Sequence, residues 1–163
     1  SGMTDAKLPD MQSGWEQGIT NVMAGLAGLN MAYETVGMHA SLMGVSLEAI
    51  VLGDDILGQA LRVVRGIEVN EDTTSIEVMK DVCLNGPGHY LGAAQTMGLM
   101  QTEYVYPNVG NRMSPKEWNE ADRPLLLDAA KARMNAILGE AGCRIPAEVD
   151  AAVRARFNIA FGA

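Results

Sequence analysis

The chain has 163 residues, 20 acidic against 12 basic, and a formal net charge of −8 at pH 7. A chain this long can bury a real core, and 48% hydrophobic with 20% charged residues is a globular composition, not a disordered one. So acidic a chain has little with which to neutralise phosphates, which argues against a nucleic-acid partner; no apolar run approaches the ~18 residues of a membrane span, and no secretory signal is readable.

Cys83 and Cys143 lie too far apart for a zinc pattern, so a reduced cytoplasm is the expected compartment. Residues 1–111 hold 4 basic and 13 acidic side chains, a balance of −9, whereas residues 112–163 hold 8 and 7, a balance of +1. The acidic character therefore belongs to the first two-thirds. Glycine occurs 18 times and methionine 11 times while aromatics make up 5%, a composition suited to close backbone approach and irregular gap-filling.

In chain order, the first predicted helix runs from about Gly14 to Asn30. Trp15, Ile19, Val22, Met23, Leu26 and Leu29 share one face at helical spacing. Gly14, Gly18, Gly25 and Gly28 interrupt it, and each costs ~1 kcal/mol relative to alanine, so close packing must compensate. Met31 to Val36 reads as a strand. Ser46 caps a second helix that ends before Gly66, with Leu47, Ile50, Leu57, Leu61 and Val64 as its apolar seam. Asp54 falls on that seam and therefore needs a partner or a cavity rim.

A third helix is predicted from Glu71 to Leu84, with capping-box spacing at Thr74-Ser75-Ile76-Glu77. Asn85 to Gly92 is a glycine-rich loop. A short helix from Ala93 to Thr102 follows, then an extended stretch from Glu103 to Pro107 and a loop from Asn108 to Arg112. Ser114-Pro115-Lys116-Glu117 opens another short helix: serine caps, proline takes the first turn and glutamate reaches back. Arg123 to Gly139 is helical, with Leu127, Ala130, Met134, Ile137 and Leu138 inward. Pro146 starts the last helix, with Val149, Val153 and Phe157 on one side. This makes five to seven helices and at most two or three short strands. A complete (β/α)8 barrel needs roughly 250 residues, so the chain cannot be one.

No Walker A, GxGxxG, GxSxG or HExxH pattern occurs. Gly86-Pro87-Gly88 has no following lysine to cradle phosphate. His39 and His89 stand 50 residues apart, a weak metal pattern, and no metal ligands are assigned.

Three stretches taken together are more specific. Met3-Thr4-Asp5-Ala6-Lys7-Leu8-Pro9-Asp10-Met11-Gln12 leads into Gly14 and Glu16. Gly86-Pro87-Gly88-His89-Tyr90-Leu91-Gly92 runs on to Gln95-Thr96 and Met100-Gln101-Thr102-Glu103-Tyr104-Val105-Tyr106-Pro107. The tail carries Ser114-Pro115-Lys116-Glu117-Trp118, Ile145-Pro146-Ala147-Glu148-Val149-Asp150 and Arg154-Ala155-Arg156-Phe157. In order and spacing they resemble the C-terminal portion of the trimethylamine methyltransferase family, the corrinoid-dependent methylamine methyltransferases.

That resemblance implies a mainly α chain with few short strands, forming the C-terminal part of a (β/α)8 TIM barrel plus a helical extension. Residues 1–111 would be the last barrel β/α units, bearing the site loops, and residues 112–163 the extension. It also implies transfer of a methyl group from a tertiary or quaternary amine to a separate corrinoid protein, with no cofactor bound directly by this chain. Some family members carry pyrrolysine in the active site; none stands in this sequence. The fragment alone is expected to be inactive and a homo-oligomer. The alternative is a non-catalytic helical oligomerisation or interaction module.

A methylated ammonium is held by aromatic faces and carboxylates, with cation–π contacts worth ~0.5–2 kcal/mol each. Trp15, Tyr33, Tyr90, Tyr104 and Tyr106 supply the former; Asp5, Asp10, Glu16, Glu34 and Asp54 supply the latter. With barrel sites at the C-terminal ends of strands, Asp10, Glu34 and His89 are the expected catalytic residues. Asp5, Gln12, Tyr33, His39, Tyr90 and Tyr104 are the expected substrate contacts.

Overall fold

The computed structural model describes residues 2–140 and 145–159. Among them the chain is mainly helical, with one two-stranded sheet. Cys143 lies outside the described residues.

Helix α1 is Met11–Leu26. It begins where Asp10 accepts the Ser13 N–H at 3.2 Å, an N-cap that satisfies one orphan donor of the first turn. The predicted strand over Met31 to Val36 does not form. Glu34 sits at φ +50, and Thr35 Oγ1 donates to the Ala32 carbonyl at 2.7 Å, so the segment closes into a turn that cannot present an extended ladder. Pairing comes later, between β1 (Met38–His39) and β2 (Gly44–Val45), antiparallel with Met38 opposite Val45.

The connection between them places Ala40, Ser41 and Leu42 at φ 51, 55 and 72. Left-handed backbone costs each non-glycine residue roughly 1–2 kcal/mol. The turn persists because the N-terminal segment holds it: Ala40 N donates to Ala6 O at 2.9 Å, Thr4 N to Met38 O at 3.1 Å, and Ser41 Oγ to Asp5 Oδ1 at 2.7 Å.

Helix α2 is Leu47–Arg65, capped by Ser46 and stopped at Gly66, whose φ is +72. Both ends match the sequence expectation. Its packing face does so only in part. Ala49, Gly53, Asp55 and Ala60 are buried, while Leu47, Ile50 and Val64 of the expected seam stay 40–49% exposed and Leu61 67% exposed. α1 is reversed: Ser13, Gln17 and Asn21 face in, and Trp15, Ile19, Met23 and Leu26 face out. Small residues explain the choice. A Cβ on Gly25 of α1 would run into the Val64 side chain, and one on Gly53 would run into Val36, so bare backbone lets the elements approach. The buried apolar residues are correspondingly small: Ala6, Ala49, Ala60, Val82 and Ala130.

The expected helix over Glu71 to Leu84 is broken. Ser75 at φ +57 separates α3 (Glu71–Thr74) from α4 (Ile76–Lys80), and a π-helical turn, Asp81–Asn85, follows. The capping box forms four residues earlier than predicted, with Asn70 Oδ1 accepting Thr73 N at 2.9 Å and Thr73 Oγ1 accepting Asn70 N at 2.8 Å. After α5 (Ala94–Leu99), Glu103 is clamped to α2 by Arg62 at 2.6 Å and Arg65 at 2.9 Å.

α6 (Pro115–Glu120) has the predicted capping box: Glu117 N donates to Ser114 Oγ at 3.3 Å and Ser114 N to Glu117 Oε2 at 2.8 Å. The Ser114 N–H bond, with Ser114 Oγ donating to the same oxygen at 2.7 Å, holds the Glu117 carboxyl below its ordinary pKa. α7 (Leu126–Glu140) packs on α2, and α8 (Ala147–Arg156) follows Pro146 as expected. No helix of the described residues is long and apolar enough to cross a membrane.

Candidate functional site

The N-terminal segment, α1, α2 and the 107–112 loop converge on a cleft of about 820 Å3. Pro9, Asp10, Ser13, Trp15 and Gln17 form one wall; Leu52, Asp55, Ile56 and Gln59 form the second; Pro107, Gly110, Asn111 and Arg112 close it. The loop is fixed by one carboxylate. Asp55 accepts the backbone N–H groups of Asn108 at 2.6 Å, Val109 at 3.0 Å and Gly110 at 2.9 Å. Asp54, which the seam argument singled out, is exposed and accepts only the Asn108 side-chain amide, at 2.9 Å.

Behind the α1 wall lies a directed hydrogen-bond chain. The His39 Nδ1 is 3.2 Å from the Gly37 carbonyl, an acceptor, so the ring proton belongs there. Nε2 lies 3.0 Å from Ser13 Oγ, and Ser13 Oγ accepts from Gln17 Nε2 at 3.2 Å. His39 is thus buried, with both nitrogens occupied, and reaches the cleft through Ser13.

A second grouping lies on another side of α1. Glu16 accepts from Thr4 Oγ1 at 2.5 Å, from the Asp5 N–H at 2.9 Å and from Gln12 Nε2 at 2.9 Å. These bonds, led by Thr4, hold the Glu16 carboxyl below its ordinary pKa. Asp5 and Gln12 are therefore brought together by one of the candidate carboxylates, which is not itself among the expected catalytic or substrate-contact residues. Met3, Asp5, Glu16, Ser41 and Leu42 border a shallow cleft of about 400 Å3 here.

The remaining expected residues lie elsewhere. His89 lines a third cleft of about 390 Å3 with Asp81, Gly86 and Pro87. The Tyr90 hydroxyl is 3.2 Å from Cys83 Sγ, and that contact raises the tyrosine's pKa. Tyr104 and Tyr106 pair with ring centroids 6.4 Å apart. Tyr33 and Glu34 stand exposed on the turn that replaces the expected strand. Asp10 and His89 line different clefts. Among the described residues no cluster of three or more His, Cys, Asp or Glu is placed to hold a metal ion.

The profile of the trimethylamine methyltransferase (MTTB) family matches residues 1–160. A glycine betaine methyltransferase of Desulfitobacterium hafniense (strain Y51) is 30% identical over 118 residues, which is 72% of this chain and 24% of that protein. Trimethylamine methyltransferase MttB of Methanosarcina thermophila is 36% identical over 97 residues, 60% of this chain and 20% of that protein. MttB of D. hafniense (strain DSM 10664 / DCB-2) is 29% identical over 104 residues. The chain thus spans about a quarter or less of the length of the curated relatives it matches. With nearly its whole length under the family profile, the chain belongs to the trimethylamine methyltransferase family.

Proposed function

We propose that this chain is the C-terminal portion of an enzyme that takes a methyl group from a tertiary or quaternary methylated amine, trimethylamine or a betaine, and passes it to a corrinoid protein. The observation that carries the reading is the family match over residues 1–160. In the whole protein, residues 1–111 are the last β/α units of a (β/α)8 barrel, and residues 112–163 its helical extension.

A quaternary ammonium offers no N–H for recognition and a protonated tertiary amine only one, so charge and aromatic faces must do most of the holding. Asp10 and Trp15, both lining the cleft of about 820 Å3, supply these. Asp10 uses Oδ1 for the helix cap, which leaves its negative charge in place beside the cleft. The corrinoid, held by its own protein, supplies the nucleophile when it docks. This chain orients the amine, turns a methyl group toward the partner and excludes water.

The test uses the full-length enzyme with a corrinoid protein and a panel of methylated amines, following release of the demethylated amine by NMR. Release from at least one tertiary or quaternary amine is expected; release from none overturns the reading.

A further inference from the structure

Helix α1 turns a row of polar side chains inward. Ser13, Gln17 and Asn21 follow one another at helical spacing and are 5%, 1% and 6% exposed, and His39 of β1, 4% exposed, meets Ser13. Buried polar groups are costly unless hydrogen-bonded, so each member of the row must be accounted for. Asn21 serves the backbone: its amide donates to the carbonyls of Gln17 at 2.9 Å and Thr35 at 3.1 Å. Ser13 and Gln17 differ from it, because both also line the cleft of about 820 Å3 together with Asp10 and Trp15.

Counting protons fixes what Ser13 shows the cleft. His39 Nδ1 must carry a proton to bond the Gly37 carbonyl 3.2 Å away, which can only accept. The ring is buried, and the carboxylates of the surrounding elements bond elsewhere. Asp5 accepts from Ser41 Oγ, Asp10 from the Ser13 N–H, Glu16 from Thr4 Oγ1 and Asp55 from the Asn108 N–H. A buried ring without a carboxylate partner is cheapest uncharged. Nε2 of the uncharged ring is a bare acceptor, and the Ser13 hydroxyl 3.0 Å away supplies the proton of that bond. With its one proton turned to His39, Ser13 Oγ presents two lone pairs in its other directions. Gln17 Nε2 donates to one of them at 3.2 Å. No hydrogen bond among the described residues uses the second.

We propose that Ser13 Oγ, held as an acceptor by His39 and Gln17, reads the single N–H of a protonated tertiary amine and sets a preference of the cleft for tertiary over quaternary ammonium ions. This rests on the function proposed above and decides between the two substrate classes that it admits. Both classes offer the same charge to Asp10 and the same methyl groups to Trp15. They differ in whether the fourth substituent on nitrogen is hydrogen or carbon. A hydrogen makes a charge-assisted bond to the buried oxygen, whereas a carbon leaves that acceptor facing a methyl group. A site built to bond an N–H rejects the analogue lacking it far more strongly than an apolar pocket rejects one extra methyl. Asp10 is the competing acceptor, but it is exposed, with Oδ1 engaged in the helix cap. Ser13 is then a specificity-determining contact. His39, which reaches the amine only through Ser13, is a positioning residue.

The test is calorimetric titration of the full-length enzyme, without corrinoid protein, near neutral pH. Its probes are a matched pair, trimethylammonium chloride and tetramethylammonium chloride. The parent is expected to bind trimethylammonium roughly tenfold or more tighter than tetramethylammonium. Ser13→Ala should bring the two affinities within about twofold of each other by weakening the first and sparing the second. Structural damage would weaken both alike. His39→Phe should narrow the gap with Ser13 still in place, because the hydroxyl loses its acceptor and can turn its proton to the cleft. If His39→Phe fails to fold, Ser13→Ala alone decides. In the parent labelled with 15N-histidine, the imidazole signals lost in His39→Phe should show a protonated Nδ1 and a bare Nε2, and a proton on Nε2 overturns the proposal. So does equal affinity for the two probes in the parent, binding of neither probe, or a gap that survives Ser13→Ala, which gives the N–H to Asp10. Binding is read without methyl transfer, so an enzyme that demethylates no amine yet shows this pattern sinks the functional reading and keeps the Ser13 contact. One that demethylates amines but binds both probes equally does the reverse.

Discussion

Asp55 Oδ1 accepts the Asn108 N–H at 2.6 Å across more than fifty residues of sequence, so one buried carboxylate on α2 sets the path of the loop that closes the cleft between α1 and α2. Its other oxygen takes the Val109 and Gly110 N–H groups. Charge-assisted bonds to backbone donors are stronger than neutral ones, and removing the acceptor strands donors in a partly buried place. Asp55→Ala is expected to lower unfolding free energy by about 2–4 kcal/mol in urea denaturation. Asp54→Ala removes one exposed side-chain contact and should change stability by less than about 0.5 kcal/mol. Equal effects of the two substitutions would contradict this division of labour.

Glu16 gives the fold an acid-sensitive joint. Its carboxylate gathers Thr4, Asp5 and Gln12 onto α1, and these bonds put its folded-state pKa below the ordinary value of 4.5. A depressed carboxylate contributes stability that is full above the unfolded-state value and is lost as pH falls through the folded-state value. Melting temperature should therefore drop below about pH 4.5, and Glu16→Gln should flatten that part of the drop while costing stability at neutral pH. Melts of both proteins between pH 3 and 7 check it. Parallel acid limbs would show that Glu16 contributes nothing to the acid sensitivity.

The glycines separate into two kinds. Gly53 faces Val36 so closely that an added Cβ must displace it, whereas a Cβ on Gly18 meets nothing within 4 Å. Gly53→Ala should destabilise by about 1–3 kcal/mol through overpacking. Gly18→Ala should stabilise by up to about 1 kcal/mol, from helix propensity alone. Thermal melts of the two variants should move in opposite directions, and a shared direction would refute the packing account.

The same contrast shows what the sequence could and could not reveal. Ser46 with Gly66, and Ser114 with Glu117, mark their helices because capping is local chemistry between residues a turn apart. The break at Ser75 and the turn at Glu34 depend on single left-handed residues, for which serine and glutamate give no warning. The inward faces of α1 and α2 differ from their apolar faces because hydrophobic periodicity reports which face wants burial, not which neighbour is present. Among the expected site residues, Asp10 lines the cleft between α1 and α2, while Asp5 and Gln12 meet through Glu16. His89, Tyr90 and Tyr104 belong to other surfaces, a separation that no spacing argument could resolve. Asp55 was missed because its partners are backbone amides, which leave no trace in side-chain identity.

Asp10 allows its two roles to be pulled apart. As an N-cap it serves α1; as a carboxylate beside Trp15 it offers charge to a cationic substrate. Asparagine caps about as well as aspartate but carries no charge. Asp10→Asn in the full-length enzyme is therefore expected to leave stability within about 0.5 kcal/mol of the parent and to lower kcat/KM roughly tenfold, the effect of about 1.4 kcal/mol. Asp10→Ala should lose the cap as well, costing a further ~1 kcal/mol of folding stability. Urea denaturation alongside initial rates of demethylated amine release separates these terms. Because a charge contact acts on binding, the Asp10→Asn loss should appear mainly in KM and should shrink for an amine carrying its own carboxylate, such as a betaine, which is repelled by Asp10 as well as attracted. An Asp10→Asn enzyme with parental kinetics on every amine would reduce Asp10 to a helix cap and move the cation site elsewhere in the fold.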